Sequence, residues 1–343
     1  MKKRISILLV VTMIMVSLAG CGSDQENSDD VENSGQTEPI ELKLGTKMSN
    51  ESIEGQAHLY FAELVEEKTD GEIKVVVYPS EQLGDADTQV NNVKNGSQDI
   101  YAEGLANFSN YAPTVKIENL PYLFTSEEQF YEVMNGDFGK GVEKDLEDNG
   151  FKLINPKRNF ARGPSRVLLS TKPVENLEDL QGIRLRLSGN AASMNAYAAL
   201  GANPIQIAWT ETYLALKQGT VEAVTSPISL VYGMKFTEVA PYVAMVNEFP
   251  QYVAYVMNKD KFDSLSPEHQ DIIIESANET GEYATSILSD SVDDEIELMK
   301  EEHGAVFTEV NTEPFREKLM DHYMELDSDG VYGEGVLKSI LEN

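Results

Sequence analysis

Residues 182–202, GIRLRLSGNAASMNAYAALGA, contain two sequence patterns in succession. In the first part, three aliphatic residues alternate with Arg184 and Arg186, and this period of two predicts a β-strand with one apolar face and one arginine face. The second part, from residue 190 onward, has the spacing of an α-helix. A strand that leads directly into a helix is the repeating unit of α/β proteins.

The same alternation extends in both directions along the chain. Residues 40–46 (IELKLGT) and 72–79 (EIKVVVYP) predict strands, and between them we expect a helix with Ser52 as its N-cap. Such a β-α-β unit places its two strands parallel in one sheet. Further strands are predicted at residues 97–104, 150–156, 165–172, 182–189, 221–227 and 252–259, and further helices at 125–136, 190–202 and 209–220.

A chain of 343 residues exceeds the size at which a single hydrophobic core stops growing, so we expect two α/β lobes. Residues 267–302 have helical spacing throughout despite Gly281, and they predict one long helix or two abutting helices. In the helix predicted at 125–136, Thr125 and Glu128 fit a capping box.

The first twenty residues have the composition of a secretory signal peptide. MKKR is basic, and ISILLVVTMIMVSL is an apolar run of 14 residues, too short to span a bilayer comfortably. The run ends in LAGC, which resembles the lipobox of bacterial lipoproteins, and Cys21 is the only cysteine of the chain. We expect Cys21 to carry lipid; the alternative is an ordinary secretory signal followed by an unrelated cysteine.

Residues 21–39 predict a disordered acidic tether, because they are almost free of apolar side chains and cannot bury enough surface to fold. The folded part is then expected to begin near Ile40. We therefore expect the protein to be lipid-anchored on the outer face of the cytoplasmic membrane, outside the cytoplasm.

The chain has 58 acidic and 27 basic residues, a net charge of −31. Binding of nucleic acid needs a basic footprint, so no such partner is expected. The four histidines lack metal-site spacing, and the chain has neither a G-x-S-x-G motif nor a P-loop. We expect a binding protein rather than an enzyme, without a metal or cofactor.

Arginines are concentrated in one window of this acidic chain. Residues 158–186 hold five of the six arginines that follow the signal peptide and have a local net charge of +3. Arginine suits a carboxylate because its planar guanidinium donates two parallel hydrogen bonds. The cluster favours a cavity for an anion; the alternative is a set of surface arginines, and Arg158 and Arg162 are expected at the surface or in intramolecular ion pairs.

A family resemblance follows from residues 177–227, LEDLQGIRLRLSGNAASMNAYAALGANPIQIAWTETYLALKQGTVEAVTSP. This stretch resembles the central signature of DctP-type solute-binding proteins of TRAP (tripartite ATP-independent periplasmic) transporters, which runs D-L-x-G-x-[KR]-[IL]-R-V, G-A-x-P, W or F before E-x-Y-x-A-L-x-x-G, and V-D-G. YPSEQLGD at residues 78–85 and NGSQDI at residues 95–100 match another family stretch. The resemblance covers residues 40–343.

The resemblance implies an α/β fold of two periplasmic-binding-protein-like lobes, with hinge strands and a long helix spanning both. The predicted boundaries are residues 1–20 for the signal peptide, 21–39 for the tether, 40–163 with 252–291 for lobe I, and 164–251 with 292–343 for lobe II. It also implies that an organic acid binds between the lobes and is delivered to an ion-gradient-driven TRAP permease. We expect a monomer.

Ligand-binding residues are implied where this chain matches the family motifs. Arg186 falls on the arginine that binds the ligand carboxylate, and Arg166 on a second cleft arginine. Arg184 is then a neighbour that faces solvent or a helix end. Trp209 lies at the aromatic position before a helix, where it forms a cleft wall or simply fills the core.

The chain departs from the family pattern at several of these positions. Ser226, preceded by Thr225, stands where an asparagine commonly meets the ligand, and Glu248 in VNE replaces the last residue of a common T-N-H. Glu103 lies near a family acid that contacts ligand hydroxyl or amine groups, and Lys47 lies in the first strand–helix loop. Because these differences bear on the ligand, its identity stays open.

We favour a sugar acid over a C4-dicarboxylate or an aromatic or keto acid, since hydroxyl side chains suit a hydroxylated ligand. Sialic acid is disfavoured because the asparagine is absent. Two alternative functions have the same two-lobed architecture: the solute-binding protein of an ABC transporter and a membrane sensor.

Overall fold

The computed structural model describes residues 38–164, 166–328 and 336–341, so the predicted signal peptide and Cys21 lie outside the described residues. The strands are β1 (Ile40–Gly45), β2 (Ile73–Tyr78), β3 (Ile100–Glu103), β4 (Phe151–Leu153), β5 (Arg166–Ser170), β6 (Arg184–Leu187), β7 (Asn203–Gln206), β8 (Ala223–Pro227), β9 (Tyr242–Met245), β10 (Ala254–Asn258) and β11 (Val306–Glu309). The α-helices are α1 (Ile53–Lys68), α2 (Ala86–Asn95), α3 (Glu127–Asn135), α4 (Asp137–Asp148), α5 (Ala191–Leu200), α6 (Thr212–Lys217), α7 (Lys259–Asp263), α8 (Pro267–His303), α9 (Glu313–Ser328) and α10 (Val336–Leu341).

The first sheet has the strand order β2-β1-β3-β10-β4. β1 pairs in parallel with β2, from Ile40 opposite Ile73 to Gly45 opposite Tyr78, and α1 connects the two strands. This confirms the β-α-β unit predicted at residues 40–79. β10 enters the sheet from much later in the chain and runs antiparallel to both β3 and β4.

The second sheet has the strand order β11-β9-β5-β8-β6-β7. The predicted arginine strand, β6, lies near one edge and is parallel to β7 and β8. β5 is antiparallel to both of its neighbours, β8 and β9. The two mixed sheets with their helices confirm the predicted α/β fold class.

Two helix starts test the predicted caps. Ser52 caps α1 as predicted, because its Oγ accepts a hydrogen bond from the backbone N–H of Gly55 at 3.0 Å. The capping box predicted for Thr125 and Glu128 is wrong for α3. Ser126, not Thr125, is the N-cap, and the side chain of Gln129 accepts the backbone N–H of Thr125.

The long segment after residue 266 is a single helix, α8, of 37 residues and about 55 Å. Its first half, through Leu288, packs into the core of the first sheet, whereas Val292 and Met299 belong to the core of the second. Gly281 lies where residues 159 and 160 cross the helix: a Cβ there would lie 2.4 Å from Asn159 Oδ1. Glycine therefore permits a close contact without ending the helix.

Three connections join the two sheets. The chain passes between them at residues 154–164, at residues 246–253 and along α8, and Ala161 forms an isolated antiparallel bridge with Tyr252 where the first two passages meet. The protein thus has the predicted two-lobed architecture with a helix that serves both lobes. Within the part of the chain that the structure describes, no helix combines the length and apolar character needed to cross a membrane.

Candidate functional site

A cavity lies between the two sheets and is lined from both sides. Its empty volume, which includes the mouth that is open to solvent, is about 1210 Å³. Lys47, just beyond β1, and Glu103, at the end of β3, line it from the first sheet; Arg166, Arg186 and Trp209 line it from the second. The structure therefore brings five of the predicted residues to one cavity.

Arg186 is a buried cation without a carboxylate partner. Its residue is 6% exposed, its Nε donates to the carbonyl oxygen of Ile207 at 2.9 Å, and its two terminal nitrogens donate to no atom of the described residues. No carboxylate of the described chain lies within 4.0 Å. Burial lowers the pKa of the guanidinium to about 10, so Arg186 is still charged at neutral pH.

Arg184, two residues earlier on β6, has a different environment. Its side chain is 43% exposed, and its guanidinium donates to the carbonyl oxygens of Thr220 and Gly219 just after α6, both at 3.1 Å. Glu222 lies 3.5 Å away. Arg184 thus faces solvent and a helix end, which leaves Arg186 as the arginine of β6 that reaches the cavity.

Arg166, at the start of β5, also lines the cavity but already has partners. Its Nε donates to Glu248 Oε1 at 2.7 Å, and its other two nitrogens donate to Gln251 Oε1 and, at 3.2 Å, to Thr225 Oγ1. The Glu248 side chain is fully buried, and its second oxygen accepts the hydroxyl of Tyr197. Arg166 is therefore held in place and neutralised by the protein itself.

A third arginine, Arg162, centres a buried ion cluster behind the wall formed by the first sheet. It makes paired hydrogen bonds with Glu54 and with Glu103, and Lys47 Nζ lies 3.0 Å from Glu103 Oε1. Burial alone would raise the pKa of Glu103, but Arg162 and Lys47 outweigh it and hold that pKa well below its usual range. Arg162 and Arg158 are thus ion-pair partners, one of the predicted alternatives, but neither lies at the surface.

Trp209 both lines the cavity and packs on the core. Its ring packs edge-on against Phe236, with 5.1 Å between the ring centres. Lys47 Nζ lies 4.6 Å and the Arg186 guanidinium carbon 5.3 Å from the centre of the Trp209 ring. Its indole Nε1 has no hydrogen-bond partner in the described residues. The aromatic face therefore contacts two cations of the cavity, Lys47 and Arg186, by cation–π interaction.

The structure differs from the prediction at Ser226. This residue is fully buried, and its Oγ donates to the carbonyl oxygen of Pro227 at 2.8 Å rather than lining the cavity. Side chains alternate along a strand, so Thr225 and Pro227 face the cavity while Ser226 faces away. The cavity hydroxyl of β8 is that of Thr225.

Asn190 is a cavity residue that the sequence analysis did not select. Its Oδ1 caps α5 by accepting the N–H of Ser193 at 3.1 Å, while its buried Nδ2 has no partner in the described chain. Asn190 follows β6 at the same end of the strand as Arg186. Because ligands of α/β proteins bind at the carboxyl ends of strands, this position could have identified Asn190 from the sequence. Its free amide donor faces a cavity with an unpaired cation.

The sequence of residues 44–329 matches the family model described as bacterial extracellular solute-binding protein, family 7 (DctP). The chain belongs to this family. Its members are the solute receptors of TRAP transporters: they bind organic acids outside the cytoplasm and work with a membrane permease.

Relatives of the chain include receptors for sugar acids. The 2,3-diketo-L-gulonate-binding periplasmic protein YiaO of Escherichia coli is 29% identical over 88% of this chain and 91% of its own. A TRAP solute-binding protein of Ochrobacterium anthropi with bound L-fuconate superimposes with a TM-score of 0.81 at 26% identity, covering 89% of this chain and 99% of that one. The sugar acid-binding protein DctPAm of Advenella mimigardefordensis, in complex with galactonate, superimposes with a TM-score of 0.80 at 26% sequence identity. The match covers 89% of this chain and 97% of that one.

Proposed function

We propose that this TRAP solute receptor captures a sugar acid in the cavity between its lobes, with the ligand carboxylate on Arg186, and delivers it to an ion-gradient-driven permease. The observation that carries the proposal is the buried Arg186 guanidinium, whose two terminal nitrogens have no partner in the described residues. A carboxylate placed there receives two parallel hydrogen bonds and supplies the missing counter-charge.

Groups around Arg186 suit the rest of a sugar acid. The Asn190 Nδ2 is a free donor, and the Thr225 hydroxyl and the Asn107 side chain line the same cavity. Trp209 offers an aromatic face against which the apolar side of a sugar chain packs. Relatives that bind diketogulonate, fuconate and galactonate support the same ligand class.

Isothermal titration calorimetry on the chain from residue 38 onward tests this proposal with L-fuconate and D-galactonate. We expect Arg186→Ala to weaken binding by about 30-fold or more, since loss of one partner of a buried charge pair costs about 2–5 kcal/mol. Arg184→Ala, on the same strand but in solvent, is the matched control and should bind like the wild type. Wild-type affinity in Arg186→Ala would contradict the assignment.

We propose further that Cys21 carries the lipid anchor and that the protein lies on the outer face of the cytoplasmic membrane. The support is the LAGC sequence at the end of the signal-like segment. Cys21→Ser should release the protein from the membrane fraction and abolish palmitate labelling. Membrane retention of Cys21→Ser equal to that of the wild type would argue for an ordinary secretory signal or another anchor.

The proposed lobes are residues 40–163 with 252–291, and 164–251 with 292–343. All strands of the first sheet fall in the first pair of ranges and all strands of the second sheet in the other pair. We propose that a monomer closes these lobes over its ligand about the three connections between the sheets, with the closed state populated to the extent that it binds the ligand more tightly.

A further inference from the structure

The cavity contains three cations, but only one of them lacks a carboxylate partner among the described residues. Lys47 is paired with Glu103 at 3.0 Å, and Arg166 with Glu248 at 2.7 Å. Arg186 has neither an ion pair nor a hydrogen bond from its terminal nitrogens within the described chain. Among these three, Arg186 is therefore the cation whose charge no carboxylate of the described residues already balances.

Arg166 would be a second carboxylate site if Glu248 were neutral. All three of its nitrogens are engaged, and the strongest contact is the one to Glu248. Glu248 is buried with both oxygens accepting hydrogen bonds, from Arg166 and from Tyr197. A ligand carboxylate near Arg166 would thus lie beside an ion pair of no net charge. The carboxylate would lose its water without gaining a counter-charge, which is costly.

Two further acids disfavour a second carboxylate in the cavity. Glu81 and Asp85 line it from the first lobe. Glu81 accepts the hydroxyl of Thr210, and Asp85 caps α2 by accepting the N–H of Thr88 at 2.9 Å. Since both are acids, they repel a second carboxylate of a ligand, whereas they can accept hydrogen bonds from ligand hydroxyls.

We infer that Glu248 restricts this receptor to ligands with a single carboxylate, because it neutralises Arg166, the one other arginine with which the described residues line the cavity. The inference rests on the proposed function and narrows it: the substrate class is the monocarboxylic sugar acid, and the corresponding dicarboxylic acid is rejected. Glu248 is then a specificity-determining residue that acts through Arg166, without itself being the carboxylate site.

D-Galactonate and galactarate test the inference, because they share a six-carbon chain and differ by one terminal carboxylate. We expect the wild type to bind galactonate at least about 30-fold more tightly in calorimetry. Glu248→Gln keeps an acceptor for Tyr197 but leaves the charge of Arg166 without a counter-charge. The ratio of galactonate affinity to galactarate affinity should therefore fall about tenfold or more. Glu222→Gln, which removes a carboxylate beside Arg184 and Lys172 outside the cavity, is the matched control and should keep the wild-type ratio.

A second variant covers the case in which Glu248→Gln does not fold. Arg166→Met with Glu248→Met removes the pair together and leaves the net charge unchanged, and such replacements of buried pairs are tolerated. Because no second cation becomes available, it should keep the wild-type ratio of galactonate affinity to galactarate affinity. Loss of galactonate binding in the folded double variant would show that Arg166 itself holds the carboxylate, and would overturn the inference.

The remaining outcomes separate the inference from the proposed function. Equal wild-type affinity for galactonate and galactarate overturns the single-carboxylate inference and leaves the receptor for sugar acids intact. Binding of neither acid, nor of L-fuconate, to the folded wild type contradicts the proposed sugar-acid function and the inference with it.

Discussion

Arg162 lies behind the cavity wall formed by the first sheet, and Arg186 lines the cavity from the second sheet; both are buried, but they differ in their partners. Arg162 makes hydrogen bonds with two carboxylates, those of Glu54 and Glu103. Arg186 donates only to a backbone carbonyl, through its Nε. The first arrangement is complete without a ligand, whereas the second is completed only by an anion from outside.

The pKa values of the two groups reflect this difference. Burial acts against the charge of both guanidinium groups, but for Arg162 the neighbouring Glu103 and Glu54 more than compensate and raise its pKa. For Arg186 burial prevails and lowers the pKa to about 10. The charge of Arg162 therefore stabilises the fold, and that of Arg186 is a cost of folding that a ligand carboxylate can offset.

The largest expected effect is that of Arg162→Met on stability. This change leaves Glu54 and Glu103 buried with Lys47 as the remaining strong cation, and breaking a buried pair from one side costs about 3–5 kcal/mol. Urea unfolding followed by circular dichroism at pH 7 measures the loss.

Arg186→Met is the matched control for this prediction, since it removes a buried arginine without stranding a carboxylate of the described chain. Its free energy of unfolding should lie within about 1 kcal/mol of the wild type, on either side. If Arg162→Met and Arg186→Met lost the same free energy of unfolding, the proposed difference between a paired and an unpaired arginine would be contradicted.

The sequence predicted the strand that carries Arg184 and Arg186 because alternation is a local property. The partners of Arg162 could not be predicted in this way: Glu54 lies 108 residues away and Glu103 lies 59 residues away. Nothing in the sequence between them fixes that contact, which depends on how the first sheet and its connections pack. The pairing of Arg166 with Glu248, 82 residues apart, is a contact of the same kind.

Three strands of the second sheet, β7, β9 and β11, were not predicted. β7 contains Pro204, which cannot donate to a neighbouring strand and is tolerated here because β7 lies at an edge of the sheet. β11 forms the opposite edge and, like β7 and β9, has only four residues. Their length alone does not explain why they were missed, since β3 and β6 also have four residues and were predicted.

The smallest expected effect concerns Lys47, which connects the ion cluster of Arg162 with the surroundings of Arg186. Lys47 is paired with Glu103 and also contacts the Trp209 ring, which lies beside Arg186. Burial lowers the pKa of its ammonium to about 8, although Glu103 acts in the opposite direction. A bound carboxylate favours the charged form, so it raises this pKa in the complex. Affinity should then be constant below pH 8 and fall above it, by up to about tenfold at pH 9.

Calorimetry with D-galactonate at pH 7, 8 and 9 checks this dependence, with Lys47→Met as the test variant. Because the variant lacks the titrating group, its affinity should be flat over this range and about as weak as that of the wild type at pH 9. Lys172→Met, at a lysine whose side chain is 74% exposed, is the control and should keep the wild-type decline. A wild-type affinity that stays constant to pH 9 would mean that Lys47 belongs wholly to the ion cluster of Arg162, and that the ligand interacts with Arg186 alone among the cations of the cavity.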